Sequence, residues 1–207
     1  VVAHLPNIDA ALAKRVADGL GLDKMPKALV PAREPRVDLK PSKALSILKN
    51  VPKTFEGRKV GVLVTDGVDL ALLDALTKAL SEEGATLEIV APAVGGVKSS
   101  SGKWIDAHEK VGGGPSVLYD AVALLMSEKG AANLAKEPAA RDFVADAFAH
   151  LKFIAYNAAA MPLLEKAGIA ADLDEGCMVL AKPGDTVNFV AACRKFRLWE
   201  RESLFKA

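Results

Sequence analysis

The sequence predicts an α/β fold in which helices cover both faces of a mainly parallel, doubly wound sheet, preceded by a helical and proline-rich arm. From residue 57 onward, short apolar runs alternate with helical patterns, which is typical of parallel βαβ units. The first run, Lys59–Val64 (KVGVLV), is nearly continuously apolar, as expected for a strand buried on both faces. Six of the eleven prolines but only two of the sixteen glycines lie in the first 52 residues, which separates the arm from the body.

Residues 1–52 are interpreted as an arm that consists of a short helix and an extended linker. Asn7 or Asp9 can cap a helix that ends near Gly19. Between 26 and 52 the prolines favour extended backbone, with one helical turn expected near 43–48. The arm carries nine basic and five acidic residues, and residues 53–207 carry 18 basic and 21 acidic residues. Its net charge of +4 suits either a solvated linker or a segment that lies on a weakly acidic surface.

The body, residues 53–207, is predicted to contain five strands of one sheet and four helices. In chain order we expect strand Lys59–Val64, helix 69–83, strand Thr86–Ala91, a hairpin at 97–107 around Ser101-Gly102, a buried strand within 119–126, helix 137–151, strand 153–156, helix 159–167, strand 176–181, and a closing helix 185–199 capped by Asp185. Because crossovers between parallel strands are right-handed, few topologies remain besides the flavodoxin-like one.

Composition excludes several classes of protein. Hydrophobic residues make up 51% of the chain, which is enough for a sizeable core, and the net charge of +1 gives no basic excess for nucleic acid binding. The apolar runs are far shorter than the roughly 20 residues of a membrane helix, so no membrane partner is expected. Cys177 and Cys193 form no CxxC pair, which favours a reducing compartment. The N-terminus resembles no signal peptide and lacks Met, so we expect a processed form or a fragment of a longer chain.

The candidate site is the edge of the sheet where the strands end at their carboxyl ends. Asp66 follows the first strand and could be a general base, a metal ligand or the cap of the next helix. Asp69 could equally cap that helix. Glu128 and Lys129 follow the strand within 119–126 and are either site residues or exposed loop charges. Asn157 stands at a strand–turn–helix junction, the position of a nucleophile elbow, where it could bind a ligand or hold the turn. Asp66, Glu128 and Asn157 are therefore the candidate pocket.

No recognised chemical motif occupies this edge. The sequence has neither GxGxxG nor GxxxxGK[ST], and the glycine-rich stretch 112–116 (GGGPS) leads into a strand, which favours a structural turn over an anion site. Three histidines are spread along the chain without metal-ligand spacing: His4, His108 and His150. Asn157 is not a nucleophile and has no neighbouring base. The residues therefore predict no catalytic site and no metal site.

The whole chain resembles the C-terminal region of large-subunit haem catalases. The likeness rests on HLPNID at 4–9, LAKRVA at 12–17, GLGL at 19–22, the proline-rich stretch 26–52, GRKV at 57–60, GGPS at 113–116, DAV at 120–122, HLK at 150–152 and RLW at 197–199. The added domain of these enzymes is similar to class I glutamine amidotransferases and intracellular proteases. That superfamily places a Cys where this chain has Asn157 and often an acidic residue near Leu72, so the resemblance implies a domain without that activity.

The resemblance also implies a setting for the chain. The intact parent would be a cytoplasmic, tetrameric haem catalase that decomposes hydrogen peroxide. Its haem residues would lie N-terminal to this stretch, which would itself hold no cofactor. Tyr119 and Tyr156 match no haem motif. The expected partners are the catalase core of the parent chain and neighbouring subunits, together with unfolded client proteins if the domain acts as a chaperone-like holdase.

Three functions remain open from the sequence. The first is a docking and stabilising module of the parent catalase, with or without holdase behaviour. The second is a ligand-binding or residual hydrolase- or amidotransferase-like domain that uses Asp66, Glu128 and Asn157. The third is a redox sensor built on Cys177 or Cys193, both of which are expected to be buried, unreactive thiols.

Overall fold

The computed structural model describes residues 1–36, 38–47 and 49–205. The chain divides into two units, Val1–Asn50 together with the C-terminal residues from Ser203, and Val51–Glu202. The boundary predicted from the sequence, after residue 52, leaves the C-terminal residues in the body. No helix in the described part of the chain is long and apolar enough to cross a membrane.

The first unit contains helix α1 (Ala10–Gly19) and two 3-10 turns, Val2–Asn7 and Lys43–Leu45. Of the two predicted caps for α1, Asp9 is the one used, because its carboxylate accepts a hydrogen bond from the Leu12 amide at 2.7 Å. The helical turn expected at 43–48 is present at its start, and Leu48 lies outside the described residues.

The second unit is built on a six-stranded parallel sheet. Its strands, with the two strands of a separate antiparallel hairpin, are β1 (Lys59–Val64), β2 (Thr86–Ala91), β3 (Val97–Lys98), β4 (Trp104–Ile105), β5 (Glu109–Lys110), β6 (Ala121–Leu125), β7 (Ile154–Tyr156) and β8 (Cys177–Val179). The order in the sheet is β5-β2-β1-β6-β7-β8, and β3 and β4 form the hairpin. The doubly wound α/β prediction is therefore confirmed.

Helices cover both faces of this sheet and complete two cores. They are α2 (Leu70–Glu82), α3 (Glu128–Leu134), α4 (Pro138–Ala149), α5 (Met161–Lys166) and α6 (Asp185–Cys193). Val62 of β1 belongs to the core under α2 and α6, whereas Leu63 belongs to the core under α3, α4 and α5. Successive side chains of a strand point to opposite faces, so a continuously apolar β1 supplies both cores.

Two elements were not predicted from the sequence. β5 consists of two charged residues and therefore has no apolar pattern that could predict a strand. It pairs with β2 at Val90 and Ala91. α3 occupies part of the stretch that the sequence presents as loop charges. Its N-terminus is capped by Ser127, whose Oγ accepts a hydrogen bond from the Gly130 amide at 3.1 Å.

The closing helix was predicted too long and its cap was wrong. α6 ends at Cys193, because Phe196 takes φ = 69° in a tight turn in which the Arg197 amide bonds to the Lys195 carbonyl. Asp185 is the first helical residue, and its carboxylate accepts hydrogen bonds from the Ala181 and Lys182 amides at 3.0 Å each. The chain continues as a 3-10 helix over Trp199–Phe205.

Candidate functional site

The candidate site lies at the edge formed by the carboxyl ends of β1, β6 and β7. β1 pairs with β6 up to Val64 and Leu125, and β6 pairs with β7 up to Leu124 and Tyr156. The residues that follow these strands are therefore brought to one edge of the sheet by the parallel ladder, as expected for a doubly wound fold.

Asn157 is hydrogen-bonded to the backbone of the neighbouring strand end. Its Oδ1 accepts from the Met126 amide at 3.2 Å, its Nδ2 donates to the Met126 carbonyl at 2.7 Å, and its own amide donates to the Leu124 carbonyl at 3.0 Å. The side chain thus satisfies one donor and one acceptor of the backbone, as the next residue of a strand would do. Both ends of the Asn157 amide are occupied within the protein.

Asp66 is held by the hairpin rather than by a helix. Its Oδ1 accepts a hydrogen bond from the Lys98 amide at 2.8 Å. The cap of α2 is Asp69, whose Oδ1 accepts from the amides of Ala71 at 2.8 Å and Leu72 at 3.3 Å. The suggestion that Asp66 caps this helix is therefore wrong, and the alternative, Asp69, is correct.

A hydroxyl pair that sequence reasoning missed joins β1 to α3. The Ser127 amide donates to Thr65 Oγ1 at 3.0 Å, and Ser127 Oγ donates to the Asp66 carbonyl at 2.6 Å. The approach is so close that a Cβ on Gly130 would lie 2.0 Å from Thr65 Oγ1, so only glycine fits there. A threonine directly after β1 and a glycine shortly after β6 were the only available signals, and neither identifies its partner.

The three predicted pocket residues do not share one cavity. Asp66 lines a crevice of about 270 Å³ together with Thr65, Pro92, Ser127, Lys129, Gly130, Asn133, Leu134 and Glu137. Glu128 lines a separate depression with Ala158, Ala159 and Pro162. Lys129 therefore faces the crevice and Glu128 faces away from it, because consecutive helical residues point in different directions.

His108 and His150 are hydrogen-bonded within the protein, and burial affects both cysteine thiols. His108 Nδ1 accepts from the Ile89 amide at 2.9 Å, and His150 Nδ1 is 2.7 Å from the Asp146 carbonyl. Burial raises the pKa of the Cys177 thiol to about 11 and raises that of Cys193 well above its usual value. Since the thiolate is the reactive form, both thiols are poorly suited to redox sensing at neutral pH.

Among the described residues, Tyr119 is enclosed by the protein and is not available as a haem ligand. In the described part of the chain, no group of three or more His, Cys, Asp and Glu side chains could hold a metal ion. The Tyr119 ring fills the space above Gly61, where a Cβ would lie 2.3 Å from Tyr119 Cδ2, and burial raises the pKa of its phenol. A phenol enclosed in this way cannot approach a macrocycle.

Residues 56–203 match the family described as the C-terminal domain found in long catalases. The chain belongs to this family. It is 53% identical over 206 residues to "Catalase C" of Rhizobium meliloti (strain 1021), covering all of this chain and 29% of that protein. It is 32% identical to "Catalase HPII" of Mycobacterium avium, covering 98% of this chain and 30% of that protein. The long-catalase C-terminal domain thus spans less than a third of these relatives, and the resemblance inferred from the sequence is confirmed.

The fold also has a structural relative outside the catalases. A two-domain protein with DJ-1/ThiJ/PfpI-like and ferritin-like domains from Anabaena variabilis superposes with a TM-score of 0.56 over 65% of this chain and 48% of that protein. Because the sequence identity is 16%, this likeness concerns the fold alone.

Proposed function

We propose that this long-catalase C-terminal domain is a non-catalytic part of its parent enzyme and that it stabilises the parent against unfolding. The observation that carries the proposal is the position of Asn157, the residue at the nucleophile elbow. A carboxamide is not a nucleophile, because its nitrogen is delocalised, and the hydrogen bonds to both backbone groups of Met126 hold this side chain in a structural position.

A continuous set of hydrogen bonds along the same edge supports this proposal. The set runs from the hairpin to Asp66 through the Lys98 amide, from Asp66 to Ser127, and across β6 to Asn157. These paired polar groups rigidify the part of the edge between Asp66 and Asn157. The edge therefore suits a structural domain better than a hydrolase or an amidotransferase.

The partners proposed are the catalase core of the parent chain and neighbouring subunits. The share of the catalase relatives that this chain covers, 29% and 30%, supports a much larger parent that would carry the haem and decompose peroxide. The two cysteines, which form no disulfide, support a cytoplasmic location.

The stabilising role is tested on the full-length parent enzyme and a form that lacks residues 51–207. We expect peroxide turnover at 25 °C to persist in the shortened form and its half-life at elevated temperature to fall. Loss of turnover with unchanged heat resistance would contradict the proposal, because the domain would then contribute to the reaction rather than to stability.

A chaperone-like holdase role is a second candidate, favoured by apolar side chains exposed in the first unit. Ile8, Leu20 and Val30 are 72%, 63% and 91% exposed. The test is aggregation of a heat-stressed client enzyme with this chain, with an inert protein of equal mass as control. Suppression at near-stoichiometric ratios that is lost in the double variant Ile8→Ser, Leu20→Ser would support the role. Equal aggregation in all samples would remove it.

A further inference from the structure

The crevice lined by Asp66, Lys129 and Glu137 lies at the switch point of the sheet. The chain leaves β1 toward α2, which packs in one core, and leaves β6 toward α3, which packs in the other core. In open α/β sheets, ligands bind outside the carboxyl ends of the strands where the connections separate to opposite faces. The residues that line the crevice do not include Asn157. Neither the family nor the proposed stabilising role assigns the crevice a function.

The walls of this crevice combine an apolar surface with polar groups that have no partner in the protein. Pro92, which is half-buried, supplies apolar surface, whereas Leu134 is 1% exposed and offers almost none. The side chains of Lys129, Asn133 and Glu137 are exposed to solvent, and within the described residues no hydrogen bond or ion pair involves them. Such a set, with few polar groups beside apolar surface, is what small-molecule sites usually contain.

Parts of the crevice are held in place before any ligand arrives. Asp66 offers Oδ2 while its Oδ1 is held by the Lys98 amide. α3, which carries Lys129, is held against β1 by the Thr65–Ser127 hydrogen bond and by the close fit of Gly130. Fixed groups lose little conformational entropy on binding, which favours affinity.

The charges of the crevice indicate the class of ligand. Asp66 and Glu137 contribute two carboxylates, and Lys129 contributes one ammonium group. We infer that the crevice binds a small zwitterion with two cationic groups and one carboxylate, that is, a basic α-amino acid of the arginine or lysine type. The two cationic groups would pair with Asp66 and Glu137, the carboxylate with Lys129, and the methylene stem would lie on Pro92.

The inference is tested by titrating the ¹⁵N-labelled 207-residue chain with L-arginine and following amide chemical shifts. We expect saturable shifts at Ser127 and Gly130. Agmatine, which lacks the carboxylate, and norleucine, which lacks the distal cation, should each bind more weakly than arginine, because each loses one of the three charged contacts. The variant Lys129→Met should lower the arginine affinity to that of agmatine without changing the affinity for agmatine itself.

A matched pair of variants on and beside the crevice completes the test. Glu137→Gln should weaken arginine binding by about tenfold, and Glu128→Gln, in α3 beside Lys129 but facing the other depression, should leave it unchanged. Retention of the amide spectrum checks that each variant is folded. Absence of saturable shifts with both arginine and lysine, or equal binding of norleucine, would overturn the inference. So would equal effects of the two glutamate variants.

Discussion

At the scale of single residues, the hydrogen bonds that each polar side chain can form determine its role at the edge of the sheet. Asn157 occupies the elbow position, and its amide matches the donor and acceptor of Met126 in a way that a thiol cannot. Asn157 therefore serves the backbone of the neighbouring strand.

Substitution of Asn157 tests this assignment directly. Asn157→Ala should lower the free energy of unfolding by about 1–3 kcal/mol, because two backbone groups of Met126 lose their partner. Urea unfolding measures the change. The control is Asn133→Ala, an exposed asparagine without such bonds, which should change stability little; equal losses in both variants would contradict the assignment.

Lys152 should make stability depend on pH in the alkaline range. Its ammonium group is buried and donates to the carbonyls of Ser116 and Tyr119 at 2.5 and 2.6 Å, and burial lowers its pKa from 10.5 to about 8. Between these values the unfolded chain binds more protons than the folded one, so stability rises with pH.

The variant Lys152→Met isolates this contribution, because the opposing titrations of the thiols and tyrosines are common to both proteins. Relative to the variant, the native chain should gain about 2 kcal/mol of unfolding free energy between pH of about 7 and about 10. Unfolding in urea at several pH values provides the comparison. A difference that stays constant with pH would show that Lys152 does not titrate in this range.

At the scale of elements, close packing contacts hold the glycine-rich loop 112–116 and the C-terminal 3-10 helix in place. The sequence shows no hydrophobic periodicity that would reveal these contacts. In the loop, a Cβ on Gly114 would lie 2.6 Å from Glu109 Cβ, whereas a Cβ on Gly112 would meet nothing within 4 Å. In the helix, Arg201 is 2% exposed and joins Asp174, Phe148 and Lys152.

Two neighbouring glycines of the loop should respond differently to the same substitution. Gly114→Ala should cost about 1–3 kcal/mol, because the added methyl group overlaps Glu109. Gly112→Ala should be neutral or slightly stabilising, since it removes freedom from the unfolded chain without a clash. Thermal unfolding of both variants gives the answer. Equal melting temperatures would mean that the loop is not tightly fitted at Gly114.

Arg201 should be among the most sensitive positions of the body. Its guanidinium bonds to both oxygens of Asp174 at 2.7 Å and to the Lys152 carbonyl at 2.8 Å, and it lies 4.2 Å from the centre of the Phe148 ring. Arg201→Met should cost about 3–5 kcal/mol, because it leaves a partly buried carboxylate and backbone carbonyls unpaired. Arg36→Met, which removes an exposed pair with Asp38, should have no measurable effect.

The same pair should matter less in acid. Burial alone would raise the pKa of Asp174, but the hydrogen bond and charge of Arg201 outweigh burial and hold the pKa below 3.8. A lowered carboxyl pKa contributes stability above its unfolded value, and that contribution is lost as pH falls through the folded value. The cost of Arg201→Met should therefore shrink as the pH falls below about 4; a cost that is independent of pH would contradict the ion pair.

At the scale of the whole molecule, the chain combines a body with two cores and a first unit with little buried surface. The body has a continuous apolar cluster on each face of the sheet, whereas Ala13 and Ala17 are the buried residues of α1. Between α1 and the body, most described residues are exposed and regular structure is limited to the turn Lys43–Leu45.

Limited digestion with trypsin should therefore start in the arm. Arg33, Lys43 and Lys49 are exposed, and we expect early cleavage there, followed by a resistant fragment that begins between Lys43 and Arg58. Mass spectrometry of the fragment also tests the domain boundary after residue 52, which stays a prediction. First cuts within the helices of the body would contradict this organisation.

Most of the sheet could be predicted because its signals are local. The bounds of β1 and β2 follow from short β-branched runs, and α2 follows from Asp69, leucines at helical spacing and Gly84, which takes φ = 74° at the helix end. β5 could not be predicted, because it has two charged residues and exists only through backbone pairing with β2. The early end of α6 could not be predicted either, because it depends on the tight turn at Phe196.

By itself, the sequence determined the α/β class, the family resemblance and the absence of a nucleophile at residue 157, since each depends on residue types and their spacing. Only the tertiary structure decided that Asn157 bonds to Met126, that Glu128 lies apart from Asp66, and that Lys129 and Glu137 share a crevice with Asp66. The physical reason is that such contacts join residues distant in the chain. Their partners are set by strand order and by the direction in which each helix leaves the sheet.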